Sequence, residues 1–287
     1  MMLNKVLCIV GLTAAVVAVA DDSGFACSGF YAGLSGGVMQ TAAEISASPS
    51  VLFTNYYDDE NQLSSFQEAD IFKNTGMSAL YAGYRQPLNN SNVFMGAEVF
   101  GNIAKRTVTL NNFAYHQQPN DDEDFQSLTT TSQAKLNDEE FGVDLQPGYL
   151  FDTHTMLYGR IGVAFDKLTL SSNSNFLFTS TYLEPPTYPE IITYHSPLAT
   201  SKTKDVTALR LGLGVEHGVG NNLSITADYI YTDYGKVNTS GIADATAIHS
   251  EPTYTSYTTA NGLVGHASAH LATQALMVGL KYTFPAI

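Results

Sequence analysis

Leu271–Phe284 reads LATQALMVGLKYTF. At period two, one face carries Ala272, Gln274, Leu276, Val278, Leu280, Tyr282 and Phe284, and the other carries Thr273, Ala275, Met277, Gly279, Lys281 and Thr283. Alternation at this period marks a β-strand. One face thickens into aromatics at its end, while the opposite face is small or polar around a single lysine. The length suits a tilted strand crossing a bilayer, which needs roughly 9–11 residues. The stretch is read as the strand that closes a membrane barrel against the first one.

Working outward, strand-like blocks of the same kind fall near residues 29–41, 75–86, 92–108, 140–150, 155–170, 206–217, 223–237 and 268–284. Eight blocks alternate with connections of two lengths. Long polar stretches follow the first, third, fifth and seventh blocks. Tight turns at 87–91, 152–154 and 218–222 follow the second, fourth and sixth. Long uneven connections count against a compact soluble domain, but a membrane barrel has short turns at one end and long loops at the other. The expected fold is all-β: an eight-stranded antiparallel up-and-down transmembrane β-barrel with four long outer loops. An even strand count puts both termini at the short-turn, periplasmic end.

The first twenty residues read as an export signal. Lys5 gives a positive start, residues 6–19 are apolar, and Ala18-Val19-Ala20 places small residues before Asp21. The expected organisation is a cleaved signal over residues 1–20 and one barrel domain over 21–287. Cleavage leaves 12 basic against 27 acidic residues, and such an acidic chain argues against nucleic-acid binding. Cys8 departs with the signal, so Cys27 has no internal partner. Hydrophobic residues make up 44% of the chain without a long apolar run beyond the signal, as when lipid-facing and lumen-facing residues alternate.

The two phases of the blocks differ in chemistry. Outward phases hold Leu80, Tyr84, Val99, Val143, Ile161, Leu211 and Ile225 among others, with no charge. Inward phases hold glycines and alanines with Arg85, Glu98, Asp144, Arg160, Arg210, Glu216, Asp228 and Lys281. Four acids balance four bases, which predicts a neutral lumen although the chain is strongly acidic. Asp144 and Arg160 flank one turn at equal distances, and Arg210 and Asp228 flank another, so hairpin pairing is expected to join each acid to its base. Burying charge is costly unless it is paired. Eight strands leave an interior just wide enough for side chains to fill, which predicts a plugged polar core rather than an open channel. The chain has no tryptophan, so an aromatic girdle has to come from residues such as Phe30, Tyr84, Tyr149, Tyr229, Tyr231, Tyr282 and Phe284.

Four motifs then carry a resemblance: Gly29–Leu34 (GFYAGL), Tyr158–Gly162 (YGRIG), Asp228–Gly235 (DYIYTDYG) and Gly279–Phe284 (GLKYTF). In this order they resemble the opacity-type, porin-family outer-membrane β-barrel proteins of Gram-negative bacteria. The resemblance covers the strands and says little about the loops. It implies an eight-stranded barrel, outer-membrane lipid and lipopolysaccharide as surroundings, insertion by the assembly machinery, and a role as surface antigen, adhesin or envelope component. It also implies a closing-strand assembly signal at Leu280, Tyr282 and Phe284. In the family the terminal aromatic is typically the last residue, whereas here Pro285-Ala286-Ile287 follow Phe284.

Other residues carry less. The acidic runs Asp58-Asp59-Glu60 and Asp121–Asp124 lack the ordered spacing of a calcium loop and read as solvated charge. His266-Ala267-Ser268 has the spacing of a lipid-deacylating barrel, but Leu280 stands where an orienting carboxylate belongs. No enzyme, cofactor or metal is expected. Loops rich in Ser, Thr, Asn and Tyr suit contact with a host or extracellular protein or glycan. A narrow pore for small solutes is the second reading. A secreted ligand-binding barrel would have the opposite arrangement, an apolar lumen and a wet exterior.

Overall fold

The computed structural model describes residues 28–54, 60–64, 66–88, 92–117, 125–184, 188–220, 222–250 and 255–284. The expected signal segment and Cys27 lie outside the described residues, as do Asp58, Asp59, Asp121–Asp124 and Pro285–Ile287.

Eleven strands are seen among the described residues. They are β1 (Gly29–Thr54), β2 (Glu60–Ser64), β3 (Gln67–Pro87), β4 (Val93–Ala104), β5 (Thr107–Gln117), β6 (Phe125–Leu136), β7 (Glu139–Leu150), β8 (Thr155–Glu184), β9 (Tyr188–Gly218), β10 (Leu223–Ser250) and β11 (Thr255–Thr283). They make eight staves. β5 continues β4 and β6 leads into β7, their junction spliced by Ala104 N–H to Asp138 C=O at 2.9 Å and Leu136 N–H to Arg106 C=O at 2.9 Å. β2 is a short addition to β1.

The staves pair antiparallel around a closed ring, β1-β3-β4-β7-β8-β9-β10-β11 and back to β1. Closure is made by the stretch that opened the reading: Tyr31 pairs with Thr283, Leu34 with Leu280 and Val38 with Leu276. Around the ring the apolar phase faces out. Phe30, Leu34, Val38, Leu80, Val99, Leu145, Leu157, Ile161, Leu211, Val278 and Leu280 are all exposed. The outward apolar runs 30–38, 157–165 and 276–284 each span nine residues, within the roughly 9–11 that a tilted membrane strand needs. At the short-turn rim Phe30 packs on Tyr84 at 4.9 Å, and Tyr282 meets Phe284 edge-on at 5.2 Å. This rim is part of the expected girdle.

Beyond that belt the sequence reading needs correction. The long polar connections are for the most part strand: β8 runs on to Glu184 and β9 starts at Tyr188, so residues 171–175 are paired strand rather than loop. Threonine favours strands, and hydroxyl ladders tie the neighbours together, Thr169 to Thr203 at 2.9 Å and Ser171 to Ser201 at 3.0 Å. Nineteen residues of β8 lie beyond Phe165, about 60 Å measured along the strand.

In this extension the ring opens along two seams. β3 pairs with β4 only from Met77 onward, and past that point Lys73 reaches across to the Thr107 carbonyl at 2.8 Å. β9 and β10 part after Leu209 and Asp233 and rejoin at His195 and Thr246. The parting coincides with a bulge at Gly235, whose φ of +71° suits glycine and whose N–H donates to the Asp233 carboxylate at 2.8 Å. The result is two facing sheets, β3-β1-β11-β10 and β5-β6-β8-β9. Between them pack Ile45, Val108, Leu136, Leu168, Leu170, Val206, Val237 and Leu271, all buried. The apolar lumen that would suit a secreted barrel is thus present, confined to this end of the molecule.

Candidate functional site: a layered charge network in the lumen

The inward phase of the membrane zone gathers the predicted residues and extends the set. Arg85, Glu98, Asp144, Arg160, Arg210, Glu216, Asp228 and Lys281 are all buried inside the barrel, as are Arg106, Glu140 and Asp166. Every arginine of the chain is in this group.

Three layers follow from the register. Nearest the short turns, Glu216 accepts from Arg85 at 2.7 Å, from Lys281 at 2.8 Å and from the Ser224 hydroxyl at 2.6 Å. The Lys281 ammonium also lies 4.3 Å from the centre of the Tyr31 ring, a cation–π contact that helps a desolvated cation.

In the middle, Arg160 holds three acids: Asp228 at 2.9 Å, Asp144 at 3.2 Å and Glu98. Tyr158 donates to Asp228 at 2.8 Å. Arg210 bonds Asp144 at 3.1 Å, approaches Glu140 at 3.5 Å and lies over the Phe100 ring at 3.8 Å.

At the top, Arg106 binds Glu140 at 2.7 Å and Asp166 at 2.8 Å, and donates to the Tyr234 hydroxyl at 3.0 Å. Asn102 donates to Glu140 at 2.7 Å. Glu140 links this layer to the one below through Arg210.

The expected Asp144–Arg160 pair forms. The expected Arg210–Asp228 pair does not: Arg210 turns to Asp144 and Glu140, and Asp228 goes to Arg160. The reason is register. Asp228 stands opposite Gly214, while Arg210 stands opposite Gly162, which in turn faces Asp144. A Cβ on Gly162 would run into the Asp144 carboxylate, so glycine there lets the two charges meet across β8. The upper layer was missed although its residues fall inside the strand-like blocks, because the inward phase was followed only part of the way along each. Continuing the inward phase two residues at a time reaches Arg106 from Glu98, Glu140 from Asp144 and Asp166 from Arg160. Counting these, six acids face five bases, so the lumen is close to neutral, as expected, but carries one net acid.

Chemically, this arrangement is a plug. Cavities between the layers measure about 10 Å³ each, lined by Arg210 with Glu140 and Arg106 in one and with Arg160, Glu98 and Asp228 in the other. Such a volume is at the threshold for one water. The apolar sandwich of the extension closes the lumen above it. The His266-Ala267-Ser268 motif lies outside on the extension, where Ser268 bonds Ser46 hydroxyl to hydroxyl at 2.7 Å.

The family described as "Outer membrane protein beta-barrel domain" matches residues 6–284. Among solved structures, the attachment invasion locus protein Ail of Yersinia pestis is similar at 13% identity, covering 86% of this chain and 99% of that one, with a TM-score of 0.27. The outer membrane protease OmpT of Escherichia coli is similar at 14% identity, covering 91% and 98%, with a TM-score of 0.31. These likenesses are too loose to carry functional argument. A search of curated proteins finds no match. The closed ring, its charge-free outer belt and the match over nearly the whole chain agree, and the chain belongs to the outer-membrane β-barrel domain family.

Proposed function

We propose that the chain is a non-enzymatic surface protein of the outer membrane, held by its barrel and acting through its extension as an adhesin or envelope component. The observation that carries this reading is the filled lumen: among the described residues three charge layers followed by an apolar sandwich occupy it, while a polar two-sheet extension rises from the lipid belt. Residues 1–20 are removed on export, both termini lie in the periplasm, and Leu280, Tyr282 and Phe284 on the closing strand are read by the assembly machinery.

The lysines outside the lumen support a place among outer-leaflet lipids. Lys105, Lys135 and Lys167 are exposed on one sheet just past Ile103 and Phe165, where the apolar belt ends. Cations at that level meet anionic headgroups, here the phosphates of lipopolysaccharide. The outward faces beyond, rich in Ser and Thr, then contact a host protein or glycan. In planar bilayers the purified protein is expected to give no conductance steps, and cells displaying it are expected to gain binding to host surfaces that protease shaving removes. Discrete conductance altered by Arg160→Met would establish the narrow-pore reading instead.

A further inference from the structure

The short-turn end holds a pair of histidines that no part of the reading above uses. His154 sits in the turn between β7 and β8, and β9 brings His217 beside it. Thr155 pairs with His217, and the Gly218 N–H donates to the His154 carbonyl at 2.8 Å. The two ring centres are 6.5 Å apart.

Both rings are held by their Nδ1 atoms. His154 Nδ1 bonds the Thr153 hydroxyl at 2.8 Å, and His217 Nδ1 bonds the Thr155 hydroxyl at 3.0 Å. The Asp152 carboxylate accepts the N–H groups of His154 and Thr155 at 2.7 Å each. These bonds, the His154 N–H foremost, hold Asp152 below the usual carboxylate range. Nε2 of both histidines is turned out of solvent and has no hydrogen-bond partner.

We propose that His154 and His217 form a two-imidazole site for a borderline divalent transition ion of the zinc or copper class. Imidazole nitrogen suits these ions, whereas calcium and magnesium require oxygen. The Thr155 hydroxyl at His217 Nδ1 is the kind of outer support that orients a ligating histidine. Two imidazoles on one tetrahedral ion stand roughly 5–6 Å centre to centre, given metal–nitrogen bonds near 2.0–2.1 Å. Binding would bring the two ring centres about 1 Å closer than they stand here. No group of three or more His, Cys, Asp or Glu suited to a metal occurs among the described residues. Water admitted as the turn that carries His154 shifts completes the shell.

The test uses the full barrel folded in detergent, with His116, His195, His249, His266 and His270 replaced by Gln so that only this pair remains. Calorimetric titration with zinc chloride is expected to give one site. Affinity should fall at least tenfold in His154→Ala and in His217→Ala, and roughly tenfold in Thr155→Val, which keeps both imidazoles but removes the hydroxyl that holds His217 Nδ1. Each variant is confirmed as folded by its heat-modifiable gel mobility. Copper loaded at one equivalent should show two equivalent nitrogens in its electron paramagnetic resonance spectrum. Zinc affinity unchanged in His217→Ala, or a copper spectrum with a single nitrogen, would overturn the proposal.

Discussion

The two halves of β8 bury opposite chemistries. From Leu157 to Asp166 the strand shows Leu157, Ile161, Val163 and Phe165 to the outside while Tyr158, Arg160 and Asp166 point in. Two residues on the sense inverts: Lys167, Thr169 and Ser171 face out, and Leu168 and Leu170 are buried. One backbone thus serves two solvents. In lipid the wall has to be greasy outside, and the charges collected inside must satisfy one another. In water the same alternation builds an ordinary apolar core. The energetics differ too, since the lower half depends on exact ion pairing and the upper half on packed area.

Substitutions can be ranked along this contrast. The largest effect is expected for Arg160→Met, which takes the cation from Asp228 and Glu98 and leaves Asp144 to Arg210 alone. Removing one partner of a buried pair costs about 3–5 kcal/mol, measurable by urea unfolding in detergent. If the loss were under about 1 kcal/mol, the network would be well hydrated and the plug account would fail.

Next comes Leu168→Ala, expected to cost about 2–5 kcal/mol through the cavity it leaves. Here the extension should become protease-sensitive while the barrel keeps its folded gel mobility, which would separate the halves as cooperative units. Simultaneous loss of both would show that they fold as one.

Ile161→Arg on the lipid face is expected to cost about 2–4 kcal/mol, as a cation near the bilayer midplane does. Three turns of the alternation higher, Lys167→Ile should leave stability nearly unchanged, because Lys167 is exposed and its partner Asp205 is 3.9 Å away. Equal costs at the two positions would erase the boundary.

The smallest effect concerns the turn. Asp152 is held low chiefly by the His154 N–H, so its stabilisation is present above the ordinary carboxylate pKa and disappears as pH falls through the lowered folded value. Asp152→Asn should lose a few tenths of a kcal/mol at neutral pH, and its unfolding curve should merge with that of the parent protein in strong acid.

Much of the membrane half could be read from residue order, because there the two phases differ in kind. Arg160 against Ile161 says which side meets lipid. The extension hid itself for a physical reason. Leu168-Thr169-Leu170-Ser171 still alternates, but alternation alone does not say which face is wet, and the Ser/Asn run of residues 171–175 reads as loop. Ion partners were only half legible. Asp144 and Arg160 meet through a simple hairpin, whereas Arg210 reaches Asp144 across a third strand through the space at Gly162, and that depends on barrel stagger.

The inversion within β8 can be measured directly. In a Cys27→Ser background, single cysteines at each position from 157 to 171 would carry a spin label, and relaxation would be recorded with oxygen, which enters lipid, and with a nickel chelate, which stays in water. Odd positions from 157 to 165 should respond to oxygen, odd positions from 167 to 171 should respond to nickel, and even positions throughout should respond weakly to both. Oxygen access persisting past 167, or nickel access at 168 and 170, would contradict the account.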